Sequence, residues 1–140
     1  GLRIVPEYDP SLPLALIDID QLVQVCLNLV KNAAEAIFRT GRDTGTIRIR
    51  SFYDGTLRLA PTEAEPGGRS LPLQIEIEDD GPGIPETLLA EVFEPFVSGR
   101  ENGTGLGLAL VSKIITDHGA WIALDTRPGR TVFRISLPKA

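Results

Sequence analysis

Two asparagines, one aspartate and two clusters of glycines carry what chemistry this chain can do. Asn28 and Asn32 lie in DQLVQVCLNLVKNAAEAI, whose apolar positions recur at helical spacing. Both amides therefore share the face left polar, with Gln21, Gln24 and Glu35. A merely solvated helix face favours Glu, Lys, Arg and Gln, because the short asparagine amide competes for the backbone. A pair of them offers neutral oxygen ligands, and a hard cation such as Mg2+ accepts an amide oxygen alongside water and phosphate. The plainer alternative is an asparagine pair hydrogen-bonded inside the core. Asp79 continues the alternation of Leu71, Leu73, Ile75 and Ile77, which turns a carboxylate toward the core, where it needs donors. Gly81 and Gly83 follow it at once. A second cluster, Gly103, Gly105 and Gly107, runs straight into an apolar helical pattern. Glycine-rich backbone at a helix N-terminus presents N–H groups and a favourable dipole to a phosphate. One half of Glu78–Leu110 thus suits a polar ring edge and the other a polyanion. Each cluster alone also fits an ordinary Pro/Gly turn or loop; together with the asparagine pair they point to a nucleotide.

The elements that must position these groups can be read in order. Leu2–Tyr8 alternates as a strand, with Pro6 marking an edge. Asp18 caps a long helix over Ile19–Phe38, with Gln21 completing a capping box. Leu22, Val25, Cys26, Leu29, Val30, Ala33 and Ile37 form its core face. Thr46–Phe52 is a strand, and Asp54-Gly55 signals a hairpin returning through Thr56–Ala60. Residues 60–70, rich in Pro, Gly and acids, read as a mobile loop. After the Leu71–Asp79 strand, Pro85 opens a short helix over Glu86–Val92. Leu106–His118 is an amphipathic helix stopped by Gly119, and Trp121–Asp125 and Thr131–Leu137 are strands joined by a type II turn. The expected class is α+β, a mixed, mostly antiparallel sheet with three main helices layered on one face.

Bulk properties exclude several alternatives. With 140 residues, 42% of them hydrophobic, one domain can bury an adequate core. A net charge of −5 with no basic stripe argues against nucleic-acid binding. The single cysteine, Cys26, cannot form an internal disulfide and reads as a buried thiol in a reducing compartment. No run of membrane-spanning length and no signal peptide is visible, so no direct membrane contact is expected. The absence of methionine suggests a fragment of a longer protein. His118, beside Gly119, reads as structural, and no serine or cysteine nucleophile arrangement or clustered metal-ligand set is evident.

With Asn28-x-x-x-Asn32, Asp79-x-Gly81-x-Gly83-Ile84, FEPF and GTGLGL in that order, the chain resembles the ATP-binding catalytic domain of two-component sensor histidine kinases. These belong to the GHKL superfamily, with gyrase B, Hsp90 and MutL. The resemblance covers residues 1–140 as one catalytic domain. LNLVKNAAEAI and FVSGRENGTGLGLALV are most similar to the nitrogen-regulatory sensor kinases. It implies a two-layer α/β sandwich of the Bergerat kind, binding ATP and Mg2+. Position by position, it implies that Asn32 ligates Mg2+ and that Asn28 contacts phosphate or metal-bound water. Asp79 would accept from the adenine amino group, with Gly83 helping on the ring edge and Gly81 and Ile84 also at the nucleotide. Thr131 would support the same contact. Phe93 and Phe96 would brace a lid, and Gly103, Thr104, Gly105, Leu106, Gly107 and Leu108 would wrap the triphosphate. Arg100 would lie close to the terminal phosphate and, with Asn28, serve the chemistry. Many relatives carry a basic residue where this chain has Glu35, leaving the phosphate charge to Arg100 and the metal, or Glu35 to position metal-bound water.

The function so implied is transfer of the γ-phosphate to a histidine on a separate dimerisation domain, in a homodimeric cytoplasmic kinase, and onward to a response-regulator receiver domain. The alternatives are an ATP hydrolase driving a conformational clamp, and a degenerate nucleotide-binding module. Relatives of the hydrolase kind place a glutamate at the position of Asn28, and an amide has no pKa suited to activating water.

Overall fold

The computed structural model describes residues 1–63, 65–87 and 106–140, with residues 106 and 107 described by backbone alone. Strands β1 (Leu2–Glu7), β2 (Gly45–Tyr53), β5 (Leu73–Asp79), β7 (Arg130–Leu137) and β6 (Trp121–Arg127) form one sheet in that spatial order. Only the β1–β2 pair is parallel. Helices α1 (Ile19–Arg39) and α2 (Leu106–Asp117) pack on one face of it. Strands β3 (Arg58–Leu59) and β4 (Arg69–Ser70) make a separate two-stranded ribbon. The mixed, mostly antiparallel α+β layering expected from sequence is present. The third expected helix lies for most of its length outside the described residues.

Helix α1 forms where its caps dictate. Asp18 Oδ1 accepts the Gln21 N–H at 3.0 Å, as an N-cap should. Val25, Leu29, Ala33 and Ile37 recur on one side and are buried. They meet Leu73 and Ile77 of β5, Phe133, Ile135 and Leu137 of β7, and Leu108, Val111, Ile114 and Ile115 of α2 in one core. Burying each of the larger of these side chains contributes roughly 1.5–3 kcal/mol. Ile19, Val23 and Leu27 recur at four-residue steps on the outer side of α1 and remain exposed. Helix α2 ends in a Schellman motif: Gly119 has φ +64°, Ala120 N–H donates to Ile115 O, and Gly119 N–H to Thr116 O.

His118 then ties the two helices together. Its Nδ1 lies 2.8 Å from Ile114 O, so that nitrogen carries the hydrogen, and Nε2 accepts the Asp18 N–H at 3.3 Å. The end of α2 is thereby held against the start of α1, and the structural role expected for His118 stands. The C-terminus of α2 thus meets the N-terminus of α1, while Ile37 near the far end of α1 lies against Gly45 and Gly81 at the opposite end of the molecule. At that end β5 and β6 finish and β7 begins.

The other sheet face is covered by charge. Glu76, only 6% exposed, accepts from Arg50 Nη1 at 2.8 Å and from Arg134 Nε and Nη2 at 2.8 and 2.6 Å. Glu78 bonds both Arg48 and Arg130, and Glu7 reaches Arg48 and Arg50. Both Arg50 and Arg134 stand over the Phe52 ring. Alternation is therefore obeyed on both faces, yet Gln74 and Glu76 are buried with the apolar residues, because β5 is the central strand.

One turn differs from expectation. Asp54-Gly55 does not fold β2 back onto Thr56–Ala60. Asp54 Oδ1 accepts from Thr56 N–H and hydroxyl, and Asp54 N–H donates to Pro72 O. This bend sends the chain away from the sheet, and β2 pairs with β5 instead. The hairpin forms later, with β3 against β4 across the polar loop.

Candidate functional site

Asp79 ends the central strand with its side chain on the helix-covered face, in register with Thr131 on β7 and Ile47 on β2. It is 5% exposed. Gly81 N–H donates to its Oδ1 at 2.8 Å, the donor that a buried carboxylate requires. Burial pushes its pKa up from 3.8 to about 6; the Gly81 N–H opposes the rise, and the neighbouring Asp80 and Glu78 charges add to it. At neutral pH the group is an ionised acceptor with little solvent of its own.

The backbone after Asp79 passes close to everything it meets. A Cβ on Gly81 would stand 2.8 Å from Asp79 Oδ1 and 3.5 Å from Ile37 Cγ1 on α1. Gly83 has φ +84°, and a Cβ there would come within 2.6 Å of Arg127 O. Ile84 N–H donates to Thr126 Oγ1 at 2.9 Å, and Thr126 Oγ1 lies 2.9 Å from Thr131 Oγ1. The acceptor is thus framed by the glycine turn on one side and by two threonines on the other.

Adjacent Asp80 does different work. Its Oδ1 accepts from Thr46 N–H and Arg42 Nη2, both at 3.1 Å, while Arg42 Nη1 donates to Asp80 O at 2.8 Å. It fastens the end of β5 to the start of β2, leaving Asp79 as the carboxylate turned inward.

Asn28, Asn32 and Glu35 are half-buried along α1, whereas Gln21 and Gln24, earlier on the same face, are exposed. The face therefore grades from wet to enclosed toward the Asp79 end. From Asn28 to Ile37, which touches the Asp79 turn, the helix rises about 13 Å. Helix α2 begins at Leu106.

Of the residues singled out from sequence, the structure brings together Asp79, Gly81, Gly83, Ile84 and Thr131, with Asn28, Asn32 and Glu35 on the adjoining helix. Leu106 and Gly107 open α2 and Leu108 is buried in the core beneath it. Phe93, Phe96, Arg100, Gly103, Thr104 and Gly105 lie outside the described residues. Thr126 was missed, although it shares the signal that exposed Asp79: it continues the inward alternation of Ile122 and Leu124. Ending that strand at Asp125 hid it. No cluster of three or more His, Cys, Asp or Glu fit to hold a metal occurs among the described residues. Two amide oxygens are nonetheless a donor set suited to Mg2+, which keeps most of its water and takes its remaining ligands from phosphate.

A family model described as histidine kinase-, DNA gyrase B-, and HSP90-like ATPase matches residues 17–140. The sensory histidine kinase/phosphatase NtrB of Rhodobacter capsulatus is 62% identical over 139 residues, covering 99% of this chain and 38% of that protein. NtrB of Rhizobium leguminosarum bv. phaseoli is 49% identical over 141 residues, covering 99% and 35%. The chain spans little more than a third of the length of these curated relatives. Among solved structures, a nucleotide-free catalytic domain of the histidine kinase ThkA matches with a TM-score of 0.74 at 32% identity, covering 99% of this chain and 79% of that one. The mycobacterial sensor histidine kinase MprB matches at 0.72 and 26% identity, covering 99% and 82%.

Proposed function

The chain belongs to the histidine kinase-, DNA gyrase B- and HSP90-like ATPase family, and we propose that it is the ATP-binding catalytic domain of a nitrogen-regulatory sensor histidine kinase acting in the cytoplasm. In this reading Asp79 accepts from the amino group of adenine, with Gly81, Gly83, Ile84 and Thr131 around the ring edge. Asn32 and Asn28 meet the phosphates and Mg2+, which supplies charge neutralisation when bound. Arg100 and the glycine run 103–107 complete the phosphate side. The partners are a dimerisation domain bearing the acceptor histidine and, after it, a response-regulator receiver domain. Among the described residues no helix is long and apolar enough to cross a membrane.

Phosphoryl transfer asks mainly for positioning and electrostatics. The acceptor imidazole nitrogen forms a bond to Pγ as the bond from Pγ to the ADP oxygen breaks, and the ring gives up its N–H proton. This chain needs only to hold the nucleotide and exclude water. The observation that carries the reading is Asp79: a carboxylate buried at a strand end, kept ionisable by one backbone donor and framed by a glycine turn. A hydrolytic clamp would require a base near the terminal phosphate, and the helix position offered for one holds the amide of Asn28.

Two measurements separate these readings. With labelled ATP alone the chain should release little phosphate. With the dimerisation domain of the Rhodobacter capsulatus relative added, label should appear on that domain in an acid-labile bond. Steady phosphate release without the acceptor, unchanged by its addition, would favour hydrolysis. In the transfer reading, Asn28→Glu should introduce water-dependent turnover, and no gain would contradict the role given to that amide.

A further inference from the structure

The glycine turn beyond Asp79 is fastened from its far side by a threonine hydroxyl. Thr126 Oγ1 accepts the Ile84 N–H and contacts Thr131 Oγ1, both at 2.9 Å. Sheet register sets Thr126 beside Thr131 and Thr131 beside Asp79, all on the face toward the helices. Thr131 is 4% exposed, so water does little to satisfy its hydroxyl.

We infer that Thr126 is a positioning residue for base recognition: it holds Thr131 as a hydrogen-bond donor next to the Asp79 acceptor, and so selects a 6-amino purine over a 6-oxo purine. This deepens the nucleotide-binding reading above and rests on it. One lone pair of Thr126 is taken by the Ile84 N–H. With the Thr126 hydrogen directed to Thr131 Oγ1, the Thr131 hydrogen turns to the site. The edge thus offered is a carboxylate acceptor beside a hydroxyl donor. Adenine presents the complement, an amino donor beside the N1 acceptor. Hypoxanthine or guanine presents O6 beside N1–H, which reverses both partners and sets a carbonyl against a carboxylate. A Thr131 hydroxyl free to rotate would accept from N1–H and soften that rejection, so the discrimination depends on the residue that stops the rotor. Gly83 contributes by closeness: a Cβ there would lie 3.2 Å from Thr126 Oγ1.

The test is calorimetric titration of the chain with ADP, IDP and tripolyphosphate, for wild type, Thr126→Val, Thr126→Ala and Thr126→Ser. Wild type should prefer ADP to IDP. Thr126→Val and Thr126→Ala should narrow that ratio about tenfold, by weakening ADP and strengthening IDP, leave tripolyphosphate unaffected, and be rescued by Thr126→Ser. A Val variant that keeps the wild-type ratio, or that weakens all three ligands alike, overturns the inference while sparing the site. A wild type that binds neither nucleotide overturns both.

Discussion

Replacing Asp79 by asparagine should make the protein more stable and at the same time unable to hold its nucleotide. The side chain is 5% exposed and its pKa stands near 6 instead of 3.8, chiefly through burial. At about 1.4 kcal/mol per pH unit, its charged form costs the fold roughly 3 kcal/mol. Below pH 3.8 both folded and unfolded chains are protonated at this position and the cost is absent. Between 3.8 and about 6 the folded chain keeps a proton that the unfolded one has shed, so stability falls as pH rises. Above 6 the full cost persists. Asparagine has the same shape, keeps an oxygen for the Gly81 N–H and carries no charge to desolvate. Urea denaturation from pH 4 to 8 should therefore show Asp79→Asn near wild type at pH 4 and more stable by roughly 2–3 kcal/mol at pH 8. ADP binding at pH 7.5 should be lost in the same variant, and in wild type it should weaken as pH falls through 6. Parallel stability profiles for the two proteins would refute the assignment of a buried, ionising carboxylate.

Gly83→Ala should destabilise the fold by roughly 1–3 kcal/mol and weaken nucleotide binding, because its φ of +84° is unfavourable to any side chain and the new methyl meets Arg127 O; unchanged melting and affinity would contradict the close approach. Glu76→Gln should cost about 2 kcal/mol in urea denaturation, since Arg50 and Arg134 lose the charge between them, while leaving ADP affinity alone. A fall in ADP affinity in that variant would show that the outer sheet face takes part in binding.

Much of this arrangement was legible in the chain because periodicity and caps acted together. Asp18, the 3.6-residue stripe of α1 and the Gly119 stop all act locally, and the structure keeps each of them. Asp79 was legible because a carboxylate broke an apolar alternation. The Asp54-Gly55 bend was misread because a turn signal says that the chain reverses, not which strand it rejoins. The preference of β2 for β5 is a long-range choice, made by matching Arg48 and Arg50 to Glu78 and Glu76 across the sheet. The division of labour between Asp79 and Asp80 was likewise hidden, since it depends on Arg42 and Thr46 arriving from another element. Thr126 was hidden because the strand expected to end at Asp125 runs on to Arg127.

In the function proposed above, a nucleotide lies along α1 with its base at Asp79 and its phosphates at the asparagines. Amide NMR of the labelled chain titrated with ADP, with and without Mg2+, tests it most directly. The backbone signals of Gly81, Gly83 and Ile84 should shift with ADP alone, and the side-chain amides of Asn28 and Asn32 should respond strongly only once Mg2+ is added. Shifts confined to the Arg50–Glu76–Arg134 face, or none at saturating ligand, would contradict it.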